Sequence, residues 1–100
     1  MNRNEYLLTQ AASECNEVAH RVTKAMHFGL QESQPGQYQT NAQRIVEEYV
    51  DLCAVMEMLE DAGLLKMPTK AEGDLLAASK KAKVEHFMAY AREQCGTVTA

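Results

Sequence analysis

One hundred residues at 46% hydrophobic composition suffice for one compact domain. A chain this short buries only about 60 to 65% of the surface its unfolded form exposes, so a partner subunit would add stability. The formal net charge of −4 and pI near 5.3 argue against a sequence-independent grip on phosphate backbones, which needs clustered Lys and Arg. A nucleic-acid polymer is therefore not an expected partner, whereas a single nucleotide held through metal stays compatible with this charge.

In chain order, "MNRNEYLLTQ" lacks the apolar core of a signal peptide, and the longest apolar stretch, "LCAVM", is too short to span a bilayer. A cytoplasmic location with no membrane partner is the expectation. A first helix is predicted from about Glu5 to Met26, with Leu7, Ala11, Cys15, Val18, Val22 and Met26 on one face at spacings of three and four. The polar "FGLQESQPGQYQT", with Pro35-Gly36, reads as a loop.

The second helix is predicted from Asn41 as N-cap to Gly63 as C-cap. After the connector "GLLKMPTKAEGD", a third runs from about Asp74 to Gln94 and stops at Gly96. Its positions Leu76, Ala77, Val84, Phe87, Met88 and Ala91 form a weaker stripe, "SKKAK" places cations near its middle, and residues 97–100 read as a loose tail. No segment alternates as a strand would. The pattern predicts an all-α fold: one domain over residues 1–100, a small bundle of three to four helices completed by homo-oligomerisation.

Cys15, Cys53 and Cys95 are odd in number, far apart and in no zinc-binding spacing. Two of them sit within apolar helical patterns, so reduced, buried thiols are expected. His20, His27 and His86 read as surface or structural histidines.

Glu14, Glu17, Arg21 and Lys24 fall within an arc of about 80° along the first helix, beside its apolar face. Alone, they read as a solvated flank whose Glu17 to Arg21 pair contributes a few tenths of a kcal/mol. The second helix changes that reading. Ile45, Glu48, Leu52, Val55 and Leu59 form the row that a helix presents to a packing partner, and Glu48 lies within it. Asp51 points about 60° to the side, toward Met58 and Ala62, away from the solvent-facing Glu57, Glu60 and Asp61.

Ionised carboxylates in such places cost several kcal/mol unless positive charge meets them. Arg21, Lys24 and the cations of the third helix are one source of it; a metal ion is the other. Two antiparallel helices with an i,i+3 acid pair each would gather four carboxylates, a donor set suited to Mg²⁺, with Mn²⁺ as the alternative. A di-iron site needs two Glu-x-x-His pairs: His20 follows Glu17 at that spacing, but Asp51 follows Glu48, so the second is missing.

Glu14-x-x-Glu17, "KAMHFG", and "NAQRIVEEYVDLCAVMEML" with Glu48-x-x-Asp51 together resemble the all-α nucleoside triphosphate pyrophosphohydrolases of the MazG-like superfamily. "SKKAKVEHFMAYAR" is similar to the helix that closes these small domains, so the resemblance covers most of the chain. It implies a helical homodimer or homotetramer that cleaves a nucleoside or deoxynucleoside triphosphate between the α- and β-phosphates, giving a monophosphate and pyrophosphate. Glu14, Glu17, Glu48 and Asp51 would then be the Mg²⁺ ligands. Two departures are visible: Ser13 stands where the family often carries a leading acid, and the interval from Glu17 to Glu48 is long.

Within that resemblance, Glu17 or Glu14 would orient or deprotonate the attacking water. Lys24, about 10 Å beyond Glu17 by helix rise, and Lys80, Lys81 and Lys83 of the third helix are candidates for phosphate contact, with a solvated basic face as the other reading. Phe28 and Tyr38 flank the loop and are candidates to close over a base, while Tyr49 and Phe87 are expected in the core. A catalytically weakened module of the same fold, binding a nucleotide or a partner, is the alternative.

Overall fold

The computed structural model describes residues 1–99. It is all-α: α1 (Arg3–Phe28), α2 (Asn41–Asp61) and α3 (Lys70–Tyr90), the last running into a π-helical turn (Ala91–Cys95). No strand occurs among the described residues. No helix among them is long and apolar enough to cross a membrane. The chain divides into two compact units, Met1–Lys66 and Met67–Ala100.

In the first unit α1 and α2 pack against each other. They run antiparallel, as the acid cluster requires: Arg21 meets Glu48, while Glu14, further back on α1, meets Asp51, further on along α2. The buried or half-buried row on α1 is Leu7, Ala11, Glu14, Val18, Arg21 and Ala25, and on α2 it is Asn41, Ile45, Glu48, Leu52, Val55 and Leu59. Both rows step by four and three, the spacing of a helix seam. Leu7, Val55 and Leu59 are the large apolar side chains that are buried, each contributing about 1.5 to 3 kcal/mol.

The row on α1 is not the one expected. Cys15, Val22 and Met26 are exposed, because they lie about 60 to 100° round the helix from the centre of the seam. Glu14 and Arg21 take the seam positions: Arg21 meets the opposite charge of Glu48, whereas Glu14 meets the like charges of Glu48 and Asp51. The buried cysteines expected from the sequence are corrected too: Cys15 and Cys95 are exposed and Cys53 is half-buried, all three free. Tyr49 and Phe87, expected in the core, are more than half exposed at 58% and 59%. Tyr49 lies one residue beyond the seam position of Glu48, about 100° round α2.

The ends of α1 and α2 are fixed locally. Asn2 caps α1 by accepting from the Glu5 backbone N–H. Thr40, not Asn41, caps α2 through a capping box: its side chain accepts from the Gln43 N–H, and the Gln43 side chain accepts from the Thr40 N–H. Asn41 is released for another task. It is 1% exposed, and its side-chain amide donates to the Gly29 carbonyl at 2.8 Å, tying the end of α1 to the start of α2. At the far end of α2, Gly63 with φ +78° lets its own N–H reach Glu60 O and the Leu64 N–H reach Leu59 O, a Schellman closure.

The second unit starts α3 earlier than expected. Thr69 caps it with Glu72 in a second capping box, so Gly73 lies in the first turns of the helix and not in the connector. No residue of α3 is buried. Thr97 closes the π-helical turn by donating its backbone N–H to Ala91 O at 3.1 Å. Of the tail expected at residues 97–100, Ala100 lies outside the described residues.

Candidate functional site

Glu14 from α1 and Glu48 and Asp51 from α2 each offer a carboxylate oxygen, and these oxygens all lie within 4.8 Å of one another. The helical repeat puts them there: Glu48 and Asp51 are one turn apart on α2, and Glu14 occupies a seam position on the antiparallel helix. Gln10, one turn before Glu14, donates its side-chain amide to Glu14 Oε1 at 3.0 Å and so orients that carboxylate. Glu14 and Glu48 are half-buried and Asp51 is exposed, so the cluster opens to solvent on the Asp51 side.

Among the described residues, one cation, Arg21, lies beside the cluster. Arg21 Nε lies 3.9 Å from Glu48 Oε1, beyond hydrogen-bond reach, and this Nε is buried without a hydrogen-bond partner. The Glu48 carboxyl is pushed above its ordinary 4.5, first by burial, then by the charges of Glu17, Asp51 and Glu14, with Arg21 pulling the other way. Negative charge at this point is therefore under-compensated by the protein itself.

No family model, curated protein or solved structure matches this chain. What the site can do thus rests on its own chemistry.

Three converging carboxylates, one of them resisting ionisation because of its burial and then its neighbours, form an all-oxygen donor set of the kind that Mg²⁺ or Mn²⁺ takes. The donor set fits a hard divalent ion. It fits a di-iron centre poorly, since no histidine belongs to the cluster.

Of the four acids expected as ligands, three come together. Glu17 is exposed and outside the group, yet it stands first among the charges that raise Glu48. Ser13, where the resemblance leads one to look for a further acid, is exposed. Lys24 is half-buried and sets its Nζ over the Phe28 ring, 5.9 Å from the centroid. Lys80, Lys81 and Lys83 lie on α3 in the other unit, all exposed. Phe28 lines an open pocket of about 410 Å³ with Lys24, Glu32, Gln34 and Pro35. Tyr38, the other candidate for a base, is 93% exposed and does not line it.

Two contributors escaped the sequence reading. Gln10 at i−4 to Glu14 carried a usable signal, the spacing of a helical side-chain pair. Glu32 carried none, because its place in the pocket depends on how the loop folds back.

Proposed function

We propose that this protein is a Mg²⁺-dependent nucleoside triphosphate pyrophosphohydrolase of the MazG-like type, cleaving between the α- and β-phosphates to give a nucleoside monophosphate and pyrophosphate. The observation that carries the proposal is the convergence of Glu14, Glu48 and Asp51 from two helices, with a single poorly placed cation, Arg21, to offset them. The Glu14-x-x-Glu17 and Glu48-x-x-Asp51 spacing that resembles the superfamily supports the same reading.

In this reading Glu14, Glu48 and Asp51 hold the ion, and Mn²⁺ is the substitute. When bound, a divalent ion there supplies neutralisation of phosphate charge and a more acidic water. Glu17, exposed and outside the cluster, is the carboxylate free to orient and accept a proton from the attacking water. Gln10 keeps Glu14 in place, so the donor set is partly organised before substrate arrives. Lys24, on the same side of α1 as the acids, offers positive charge to the phosphates.

Assembly as a homodimer or homotetramer accords with the exposed apolar side chains of Tyr49, Val50 and Met58 on α2, which association would cover. The free thiols accord with a reducing, cytoplasmic setting. The exposed Ser13 favours a second reading, a nucleotide- or partner-binding module in which catalysis has weakened.

Pyrophosphate release from a panel of NTPs and dNTPs, with Mg²⁺ present or chelated and with Glu48→Gln beside wild type, tests both. Release that requires metal and Glu48 supports the enzyme. A folded, metal-binding protein that releases nothing across the panel supports the binding module.

A further inference from the structure

Each helix of the first unit carries a second row of side chains, displaced by one residue from the seam. On α1 it is Leu8, Ala12, Cys15, Ala19, Val22 and Met26, and on α2 it is Ala42, Val46, Tyr49, Cys53, Met56 and Glu60. Both rows step by four and three without a break, as a helix seam does, and Glu60 at the end of α2 is the one charged member. All six residues on α1 are exposed; on α2, Val46 and Tyr49 are exposed while Ala42, Cys53 and Met56 are half-buried. Apolar rows of this regularity, left facing water, mark an interaction surface.

Helix geometry places the two rows together. One residue is a turn of about 100°. In an antiparallel pair of right-handed helices that turn leads to the same side of the pair on both, so the rows form one continuous face. The acid cluster opens on the opposite side, because Asp51 is turned about 80° from the α2 seam in the other sense. A helix with two apolar seams about 100° apart suits two neighbours set nearly at a right angle, the arrangement within a four-helix bundle. The α1–α2 pair supplies half of one.

From Leu8 to Met26 the face is about 27 Å long by helix rise, and two packed helices make it about 18 Å wide. Two such faces pressed together bury about 1,000 Å² or more, which reaches the size of a specific interface. We infer that a second copy of this chain covers the face, the two Met1–Lys66 units forming a four-helix bundle in which α1 of each copy lies along α2 of the other. Side-chain volume sets that pairing. The middle of the α1 row is small, with Ala12, Cys15 and Ala19, whereas the α2 row carries Tyr49 and Met56. Setting α1 on α1 would place small against small, and α2 on α2 bulk against bulk; crossing them seats large against small. With the two-fold axis along the bundle each helix keeps its level, and Arg21 is level with Glu48. Tyr49 of one copy then comes beside the stretch from Cys15 to Ala19 of the other, and Val46 beside Ala19 and Val22. A contact of this isologous kind closes at two copies. Both acid clusters stay on the outer sides of the bundle, so this assembly neither requires nor blocks a metal ion there.

The test uses the whole chain in EDTA, so that no metal contributes. Sedimentation equilibrium over roughly 1 to 100 μM should reach twice the chain mass of 11.2 kDa. Ala19→Glu puts a charge on an exposed alanine of the α1 row and should weaken the dimer about hundredfold or more. His20→Glu adds the same charge one residue on, turned away by about 100°, and should leave the dimer intact. Val46→Lys should weaken it from the α2 side, and mixing the Ala19→Glu and Val46→Lys chains should restore a dimer, since the two new charges then meet across the interface. Ala19 and Val46 are exposed in the single chain, so circular dichroism should show full helix content in both variants. Cys15 gives an independent reading: its alkylation should slow as the dimer forms, while Cys95, exposed in the other unit, keeps its rate.

A chain that stays monomeric across that range, a dimer indifferent to Ala19→Glu, a dimer lost equally with His20→Glu, or no dimer on mixing the two variants would each overturn the inference. A monomer whose Cys15 is shielded at every dilution would overturn it too, with another part of the same chain as the cover. A dimer in a protein that releases no pyrophosphate would keep the interface and remove the enzyme. Metal-dependent release from a chain that is monomeric at every concentration would do the reverse.

Discussion

Replacing Glu48 by Gln separates a metal site from a structural ion pair. The Glu48 side chain is 18% exposed and that of Arg21 14%, and their atoms are 3.9 Å apart without a hydrogen bond. The pair is therefore weak, and losing it costs about 1 kcal/mol or less. The substitution also removes repulsion from Glu17, Asp51 and Glu14 and the cost of burying a charge, which works in the opposite direction. Without metal, Glu48→Gln should be neutral or slightly stabilising. With Mg²⁺ at ten times its dissociation constant, binding to the folded state alone gives wild type about 1.4 kcal/mol. For a domain this small that is roughly a 6 to 11 °C rise in Tm. The assay is thermal unfolding followed by circular dichroism in EDTA and across a Mg²⁺ series. Wild type should rise and Glu48→Gln should stay nearly flat. A wild type indifferent to Mg²⁺ and Mn²⁺, or a variant that keeps the full shift, would refute the metal assignment.

Three further predictions follow from the same geometry. Glu48, facing Glu17, Asp51, Glu14 and Arg21, has a carboxyl raised above its ordinary 4.5, so the metal-free folded state holds its proton longer than the unfolded state. Its contribution is fully present below about pH 4.5 and is lost as pH rises through the folded value; urea unfolding from pH 4 to 7 should show that loss in wild type and not in Glu48→Gln. Arg21→Met leaves the under-compensated acids alone and should cost about 1 to 2 kcal/mol in EDTA, most of it recovered with Mg²⁺; a loss that metal does not recover would mean that Arg21, not an ion, is the partner of these acids. Asn41→Ala removes the donor to Gly29 O and should cost about 1 to 3 kcal/mol by urea unfolding, with an effect below about 0.5 kcal/mol contradicting a role in joining the two helices.

The number and type of elements were legible because each helix carries a periodic pattern of adequate length, and the seam of α2 was legible residue by residue. Starts were less so. The boxes Thr40-x-x-Gln43 and Thr69-x-x-Glu72 were present in the sequence, but Asn41 offered itself as an equally good cap and Gly73 looked like a break. Propensity ranks Asn above Thr as a cap; the tertiary bond from Asn41 to Gly29 O gives Asn41 its other place. On α1 the error was one of frame. Apolarity favoured Cys15, Val22 and Met26, whereas the helix turns Glu14 and Arg21 inward.

That inward turn bears on function as well as on fold. An antiparallel pair held by hydrophobic burial alone would seat Cys15 and Val22 at the interface and leave Glu14 in water, where a carboxylate costs nothing. This pair instead places Glu14 beside Glu48 and Asp51, offsets them with one distant guanidinium and braces Glu14 with Gln10. Repulsion of this kind lowers the stability of the helix pair, and stability cannot be the reason for it. In the reading proposed above, a hard divalent cation is the ligand that would restore the balance. The sequence exposes half of that reasoning through Glu48 in the α2 seam; the other half, Glu14 in the α1 seam, becomes visible only when the two helices are set side by side.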